Sequence, residues 1–234
     1  MIGSRHIATA FDRDLEAIQA MIMKMGGMVE EAILHASEAL VESDVELALR
    51  VRERDLEIDQ LEERVNQEAA RLIALRQPAA TDLRVVLSVF RISAALERIG
   101  DYAKNMAKRT EIIVELQPID GGATSIRRMS RSVERMLSDV LDAYIQRDAA
   151  LAADVRARDA EVDQMYNGLF REYLTHMMED PRNITACMHL HFMAKNVERM
   201  GDLVTAIAEQ VIYLVTGVMP EEERRKADST SVAE

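Results

Sequence analysis

An all-α protein, built as a tandem pair of three-helix bundles, is the fold class this 234-residue chain predicts. Three observations carry the prediction. Aromatic residues are scarce, five Tyr, four Phe and no Trp, while Ala, Leu, Val, Ile, Met, Glu and Arg dominate, a bias toward helix formers. All four prolines, Pro78, Pro118, Pro181 and Pro220, fall between long stretches of helical periodicity, where a missing N–H and a fixed φ do least harm. The chain also repeats itself: VRERDLEIDQL, residues 51–61, aligns without gaps on VRARDAEVDQM, residues 155–165. The offset is 104, as from Asp55 to Asp159, and it also pairs ALVESD with AYIQRD.

Periodicity and punctuation give six helices, at about residues 10–42, 45–76, 80–116, 123–147, 149–179 and 182–216. Ile119-Asp120-Gly121-Gly122 is the best linker. The expected domains are an N-terminal bundle over residues 1–118, a C-terminal bundle over 119–220, and a disordered charged tail over 221–234.

A hydrophobic fraction of 48% supplies ample core for one or two domains. The net charge of −12 and the lack of a basic run argue against nucleic acid as partner, because phosphate neutralisation needs a basic stripe. Cys187 is the single cysteine, so no intramolecular disulfide can form. No signal-peptide pattern occurs, and no apolar run approaches the roughly 18 residues that span a bilayer. A cytoplasmic protein, at most peripheral to a membrane complex, is the expectation.

In the second helix the seam predicted by 3-4 spacing runs Leu47, Val51, Arg54, Ile58, Leu61, Val65, Glu68, Leu72. Its twin in the fifth helix runs Leu151, Val155, Arg158, Val162, Met165, Leu169, Glu172, His176. Arg54 and Arg158 interrupt the two seams at matching places. They are read either as salt-bridged structural charges or as contacts to an anion or partner. Beside them stand the acid pairs Asp55/Asp59 and Asp159/Asp163, each at i, i+4, read as solvated acid or as ligands to a metal, lysine or arginine.

The third helix carries an apolar stripe through Val85, Val89, Ile92, Leu96, Ile99, Ala103 and Met106, and the sixth repeats it from Ala186 to Val211. Glu-Arg-(Ile/Met)-Gly-Asp is written in both, at residues 97–101 and 198–202. At about 100° per residue, Glu97, Asp101, Glu198 and Asp202 are expected to project outward from the bundle. Two carboxylates at i, i+4 can converge on a hard or borderline cation such as Fe, Mn, Mg or Zn. Gly100 and Gly201 sharpen the pattern, since glycine within a helix costs about 1 kcal/mol against alanine and a close neighbouring helix is one reason to accept that cost. In Cys187-Met-His189-Leu-His191 the i, i+2 spacing points the side chains to different faces, although His191 shares a ridge with Lys195, Glu198 and Asp202. No nucleotide loop, nucleophile elbow or His-Glu-x-x-His occurs, and no catalytic constellation is found.

With these residues in view, the duplicated unit carrying ERIGDYAKNMA and CMHLHFMAKNVERMGDLVTAIAE resembles the PhoU family of phosphate-transport regulators, from about residue 8 to 217. The VRxRDxE(I/V)DQ helix, the Pro-x-x-x-Asp-Leu-Arg helix start at residues 78–84 and both Glu-Arg-x-Gly-Asp motifs stand in family order. The resemblance implies a non-enzymatic, cytosolic repressor of the phosphate-starvation response. Such an adaptor links the ATPase subunit of the phosphate-specific ABC transporter to a sensor histidine kinase, and a homodimer is the expected assembly. It also implies surface iron or zinc clusters at Glu97 and Asp101 in one bundle and at Glu198 and Asp202 in the other. The family's usual histidine is Tyr102 in the first copy and Leu203 in the second, and its usual asparagine is kept as Asn105 in the first copy but is Ala206 in the second. The alternative reading, a ferritin-like di-metal oxidase or storage bundle, wants inward Glu-x-x-His pairs. Here Glu31/His35 and Glu172/His176 stand at i, i+4 instead.

Overall fold

The computed structural model describes residues 2–79 and 81–220, and within them the side chains of residues 10–79 and 82–220. Six long helices and no strand occur among these residues: α1 Ile2–Glu42, α2 Val45–Arg76, α3 Thr81–Ile113, α4 Gly122–Gln146, α5 Ala149–Glu179 and α6 Ile184–Thr216. A 3₁₀ turn, Pro181–Asn183, precedes α6 and delays its start beyond the expected residue 182. The α1 backbone is helical well before residue 10, and α3 stops at Ile113, short of 116. The tail over 221–234, expected to be disordered, lies outside the described residues.

The repeat is visible in the α1–α2 and α4–α5 turns. Ser43 and Arg147 take left-handed φ of 54° and 56°, and the next residue of each copy is the N-cap of the following helix. Asp44 accepts from the Leu47 amide at 2.9 Å; Asp148 accepts from the amides of Ala150 and Leu151 at 2.9 and 3.0 Å. The expected sequence pair ALVESD and AYIQRD is thus one sharp helix–helix turn made twice.

Within each half the three helices pack on one another, α1, α2 and α3 in the first, α4, α5 and α6 in the second. The halves also meet broadly, α1 on α4 and α3 on α6. Helices α1, α3, α6 and α4 therefore close into a central four-helix layer, with α2 laid against the α1/α3 edge and α5 against the α4/α6 edge. One continuous apolar core runs through both halves, from Ile18 and Ile22 of α1 to Val211 of α6. The third- and sixth-helix stripes are buried throughout, as their periodicity predicts. Small residues allow the closest approach: a Cβ built on Gly26 of α1 would lie 2.3 Å from Leu141 Cδ1 of α4.

Two sequence expectations are corrected here. Arg54 and Glu68 do not lie in the α2 seam; the buried positions are Ala48, Val51, Asp55, Ile58, Leu61, Val65, Ala69 and Leu72. In α5 the buried residues are likewise Asp159 and Tyr173, not Arg158 and Glu172. A 3-4 pattern can step three or four residues at each turn, and in both helices the true ridge takes the four-residue step from valine to aspartate. The second correction concerns the outward projection of the carboxylates. Of the four carboxylates expected to point outward, Glu97, Asp101 and Asp202 keep partial exposure but Glu198 is buried, 4% exposed; in the acid pairs of α2 and α5, Asp55, Asp159 and Asp163 are buried as well, against the solvated reading. The phase argument gave each helix a single buried face, whereas α3 and α6 are covered by helices of their own half and by each other.

Candidate functional site: two acidic ridges with built-in lysines

In the first half, α3 presents Glu97 and Asp101 to Asp55 and Asp59 of α2. Gly100 makes the approach possible: a Cβ there would lie 3.1 Å from Ile58 Cδ1 and 3.5 Å from Asp55 Oδ1. The ammonium of Lys104, one turn beyond Asp101, reaches between the two helices and donates to Asp55 Oδ2 and, at 2.5 Å, to Asp101 Oδ1. The electrostatics follow from this crowding. Burial raises the Asp55 pKa above its ordinary value; the Lys104 bond opposes that shift, and Asp59 and Asp101 reinforce it. Glu97 is likewise raised, first by burial and then by Asp101, Glu62, Asp59 and Asp55. Burial works against the charge on Lys104, but its bonds to Asp101 and Asp55 outweigh that and push its pKa up.

The second half keeps the acids and changes the cation. Gly201 brings α6 so close to α5 that a Cβ would lie 3.0 Å from Asp159 Oδ1 and 3.4 Å from Val162 Cγ1. The Lys195 ammonium stands 3.0 Å from Glu198 Oε2 and 4.8 Å above the Tyr166 ring. Lys104 and Lys195 are not equivalent. At the offset linking Glu97 to Glu198, Lys104 corresponds to Thr205, whose hydroxyl donates to the Asp202 carbonyl at 2.7 Å, and Lys195 corresponds to Ala94. Each ridge thus has its own lysine, supplied from opposite ends of the motif. Sequence reading left a lysine open as partner of Asp55 and put Lys195 on the Glu198 ridge, but it did not single out Lys104 or give either lysine a role; their signal is the i, i+3 spacing to Asp101 and to Glu198.

Arg54 and Arg158 are braces between helices of one half. Arg54 donates to Glu31 of α1 at 2.6 Å. Arg158 donates to Asp139 of α4 at 2.6 Å and pairs with Asp154 at 3.1 Å. His191 is half-buried among the rings of Tyr166, Phe170 and Phe192, with centroids 5.4 to 5.8 Å away. Burial and then Lys195 lower its pKa, which favours the neutral ring. Cys187 is buried, with its thiol pKa raised by burial.

The resemblance implies iron or zinc at these ridges, and in the first ridge the donor arrangement does not fit a cluster, because a lysine ammonium stands among the acids. Among the described residues no three His, Cys, Asp or Glu side chains converge as metal ligands. In the first half the position between Asp55 and Asp101, where a bridging cation would sit, is taken by the Lys104 ammonium. The inward carboxylate–histidine set of the ferritin-like alternative is also missing among the described residues: Glu31 is bound to Arg54 with His35 at 3.8 Å, and the His176 ring pairs with Glu179 at 3.8 Å.

The lack of a basic stripe also needs correction. Arg127, Arg128, Arg131 and Arg135 stand within nine residues of sequence, and α4 gathers them on one side around a surface groove.

Comparison with known proteins agrees with this architecture. The PhoU domain family matches residues 22–110 and 126–211, one match in each half. A phosphate-specific transport system accessory protein PhoU homolog of Rhizobium meliloti is 44% identical over 97% of this chain and 95% of its own length. The Zymomonas mobilis protein of the same description is 47% identical over 94% of this chain and 93% of its own length. The crystal structure of PhoU from Pseudomonas aeruginosa superposes with a TM-score of 0.85 at 40% identity, covering 89% of this chain and 100% of that one. The phosphate transport system regulatory protein PhoU of Streptococcus pneumoniae gives a TM-score of 0.84 at 29% identity, covering 90% and 99%. With the family matched in both halves, the relatives matched nearly end to end and the six-helix architecture shared with two crystal structures, the chain belongs to the PhoU family, whose members are regulatory accessory proteins and not enzymes.

Proposed function

We propose that this chain is a cytoplasmic negative regulator of the phosphate-starvation response, an adaptor between the ATPase subunit of a phosphate-specific ABC transporter and a sensor histidine kinase. The observation that carries the reading is the 44–47% identity, over nearly the whole length of both chains, to proteins described as accessory to phosphate-specific transport. The fold suits the task. No described helix is long and apolar enough to cross a membrane, so the chain meets a membrane complex from its surface. Its two halves offer related but unequal faces on one shared core, which lets one body contact two different proteins at once. A second copy is part of the same proposal, supported by Leu49 and Leu56, which stand 41% and 60% exposed on the outer side of α2.

The decisive experiment is deletion of the gene and assay of alkaline phosphatase in phosphate-rich medium. Derepression is expected; unchanged repression overturns the regulatory reading. Pull-down of the transporter ATPase and of the kinase separates an adaptor, which captures both, from a partner of the transporter alone.

A further inference from the structure

The arginine groove on α4 takes no part in the acidic ridges. Arg127, Arg128, Arg131 and Arg135, with Ser132 and with Met165 of α5, line a surface groove of 580 Å³. Arg128, Arg131 and Arg135 are exposed and Arg127 is half-buried. None of the four has an acidic partner within ion-pair distance among the described residues. By contrast, five arginines of the other helix faces, Arg52, Arg54, Arg76, Arg156 and Arg158, reach carboxylates within 2.5 to 3.1 Å. In a chain of net charge −12, an uncompensated basic groove is the exception.

Two further facts show that the fold does not require it. Arginines at i, i+4, as in Arg127, Arg131 and Arg135, repel by a few tenths of a kcal/mol per pair. In the first copy the equivalent α1 positions are Met23, Lys24, Gly27 and Glu31, while the buried ridges beside them match, Met25 with Met129 and Val29 with Val133. The duplicated scaffold thus holds together without the arginines, and they add local repulsion where they occur.

We propose that the α4 groove docks an acidic helical segment of a partner protein. At 1.5 Å of rise per residue, Arg127, Arg131 and Arg135 are spaced by about 6 Å along α4, the step of carboxylates placed every fourth residue on a facing helix. Guanidinium forks pair with carboxylates in two-point geometry, which gives register as well as attraction. A recess with Met165 at its edge suits a rounded helix better than a flat bilayer, and the overall acidity of the chain disfavours a nucleic-acid duplex. The inference rests on the adaptor reading and assigns one of its two contacts to this surface.

The test compares wild type, Arg128→Glu/Arg131→Glu/Arg135→Glu and the corresponding triple lysine variant, with circular dichroism and thermal melting to confirm that each is folded. Capture of the transporter ATPase and of the kinase is measured at low and at high salt. The groove is supported if the triple glutamate variant loses one partner at least ten-fold while keeping the other, and the lysine variant falls between. Retention of both partners by the glutamate variant overturns the groove and leaves the adaptor reading standing. Capture of neither partner by wild type sinks the adaptor reading. The groove is then decided with an alanine-based helical peptide carrying glutamate at every fourth position and with its glutamine counterpart. Binding of the glutamate peptide to wild type alone supports it; no binding, or binding only to phosphatidylglycerol vesicles, overturns it.

Discussion

Lys104 holds the first acidic ridge together. Asp55 is nearly fully buried, and its neighbours Asp59, Glu97 and Asp101 all carry the same sign of charge. Removing one partner of a buried ion pair costs about 3–5 kcal/mol, but Lys104 is 35% exposed and water replaces part of the loss, so Lys104→Ala should destabilise by about 2 kcal/mol in chemical denaturation. Adding Asp55→Asn should recover more than half of that. The same variant tests the metal question. If the ammonium takes the cation's place, Mn²⁺ titration shows tighter binding to Lys104→Ala than to wild type; stoichiometric, Glu97- and Asp101-dependent binding by wild type would show that it does not. Glu97 contributes to the pH response of the ridge together with Asp55, whose pKa is also raised. The folded pKa of Glu97 lies above the ordinary 4.5, so the folded state binds the proton more tightly than the unfolded state does. Stability from this group is therefore greatest below 4.5 and declines as pH rises through the folded value. Glu97→Gln should melt higher than wild type at neutral pH, and the difference should vanish on acidification below 4.5.

At the scale of the element, the duplicated helix–helix turn explains why two such long antiparallel helices can reverse in a single residue. Ser43 and Arg147 accept left-handed backbone without being glycine, and the aspartates after them begin the next helix at once. Asp148 satisfies two of the free amides of α5. Asp148→Ala should cost about 1 kcal/mol, seen as a lowered melting temperature with an unchanged denaturant m-value. The α2 seam shows how far an element can be read without its neighbours. Val51, Ile58, Leu61, Val65 and Leu72 are buried as the spacing predicts, yet the choice between Arg54 and Asp55 turns on a single residue of phase. Periodicity leaves that step open; the α3 surface at Gly100 closes it by presenting Lys104 to an aspartate.

Over the whole molecule, the joint between halves is built as tightly as the halves themselves, and Gly26 and Gly27 separate the two effects of glycine there. At exposed Gly27 nothing lies within 4 Å of a built Cβ, so Gly27→Ala should stabilise by about 1 kcal/mol through helix propensity. At Gly26 the Cβ would meet Leu141 of α4, and overpacking of about 1–3 kcal/mol outweighs that gain. Gly26→Ala should therefore melt lower, with the two halves still unfolding in one calorimetric transition because they share a core. Separate transitions in wild type would show that the joint does not couple them.

Composition, proline placement and internal repetition determine six helices, their order and their duplication, because helix periodicity is a local property carried by residues three and four apart. The motifs likewise mark Glu97, Asp101, Glu198 and Asp202 before any contact is known. What only the tertiary structure decides is which of these charges are buried, which lysine answers each acidic ridge, and that α4 collects its arginines beside a groove. Those outcomes depend on the closure of α1, α3, α4 and α6 into one layer. A helix read alone shows only one apolar face, but burial is set by how many neighbours it meets.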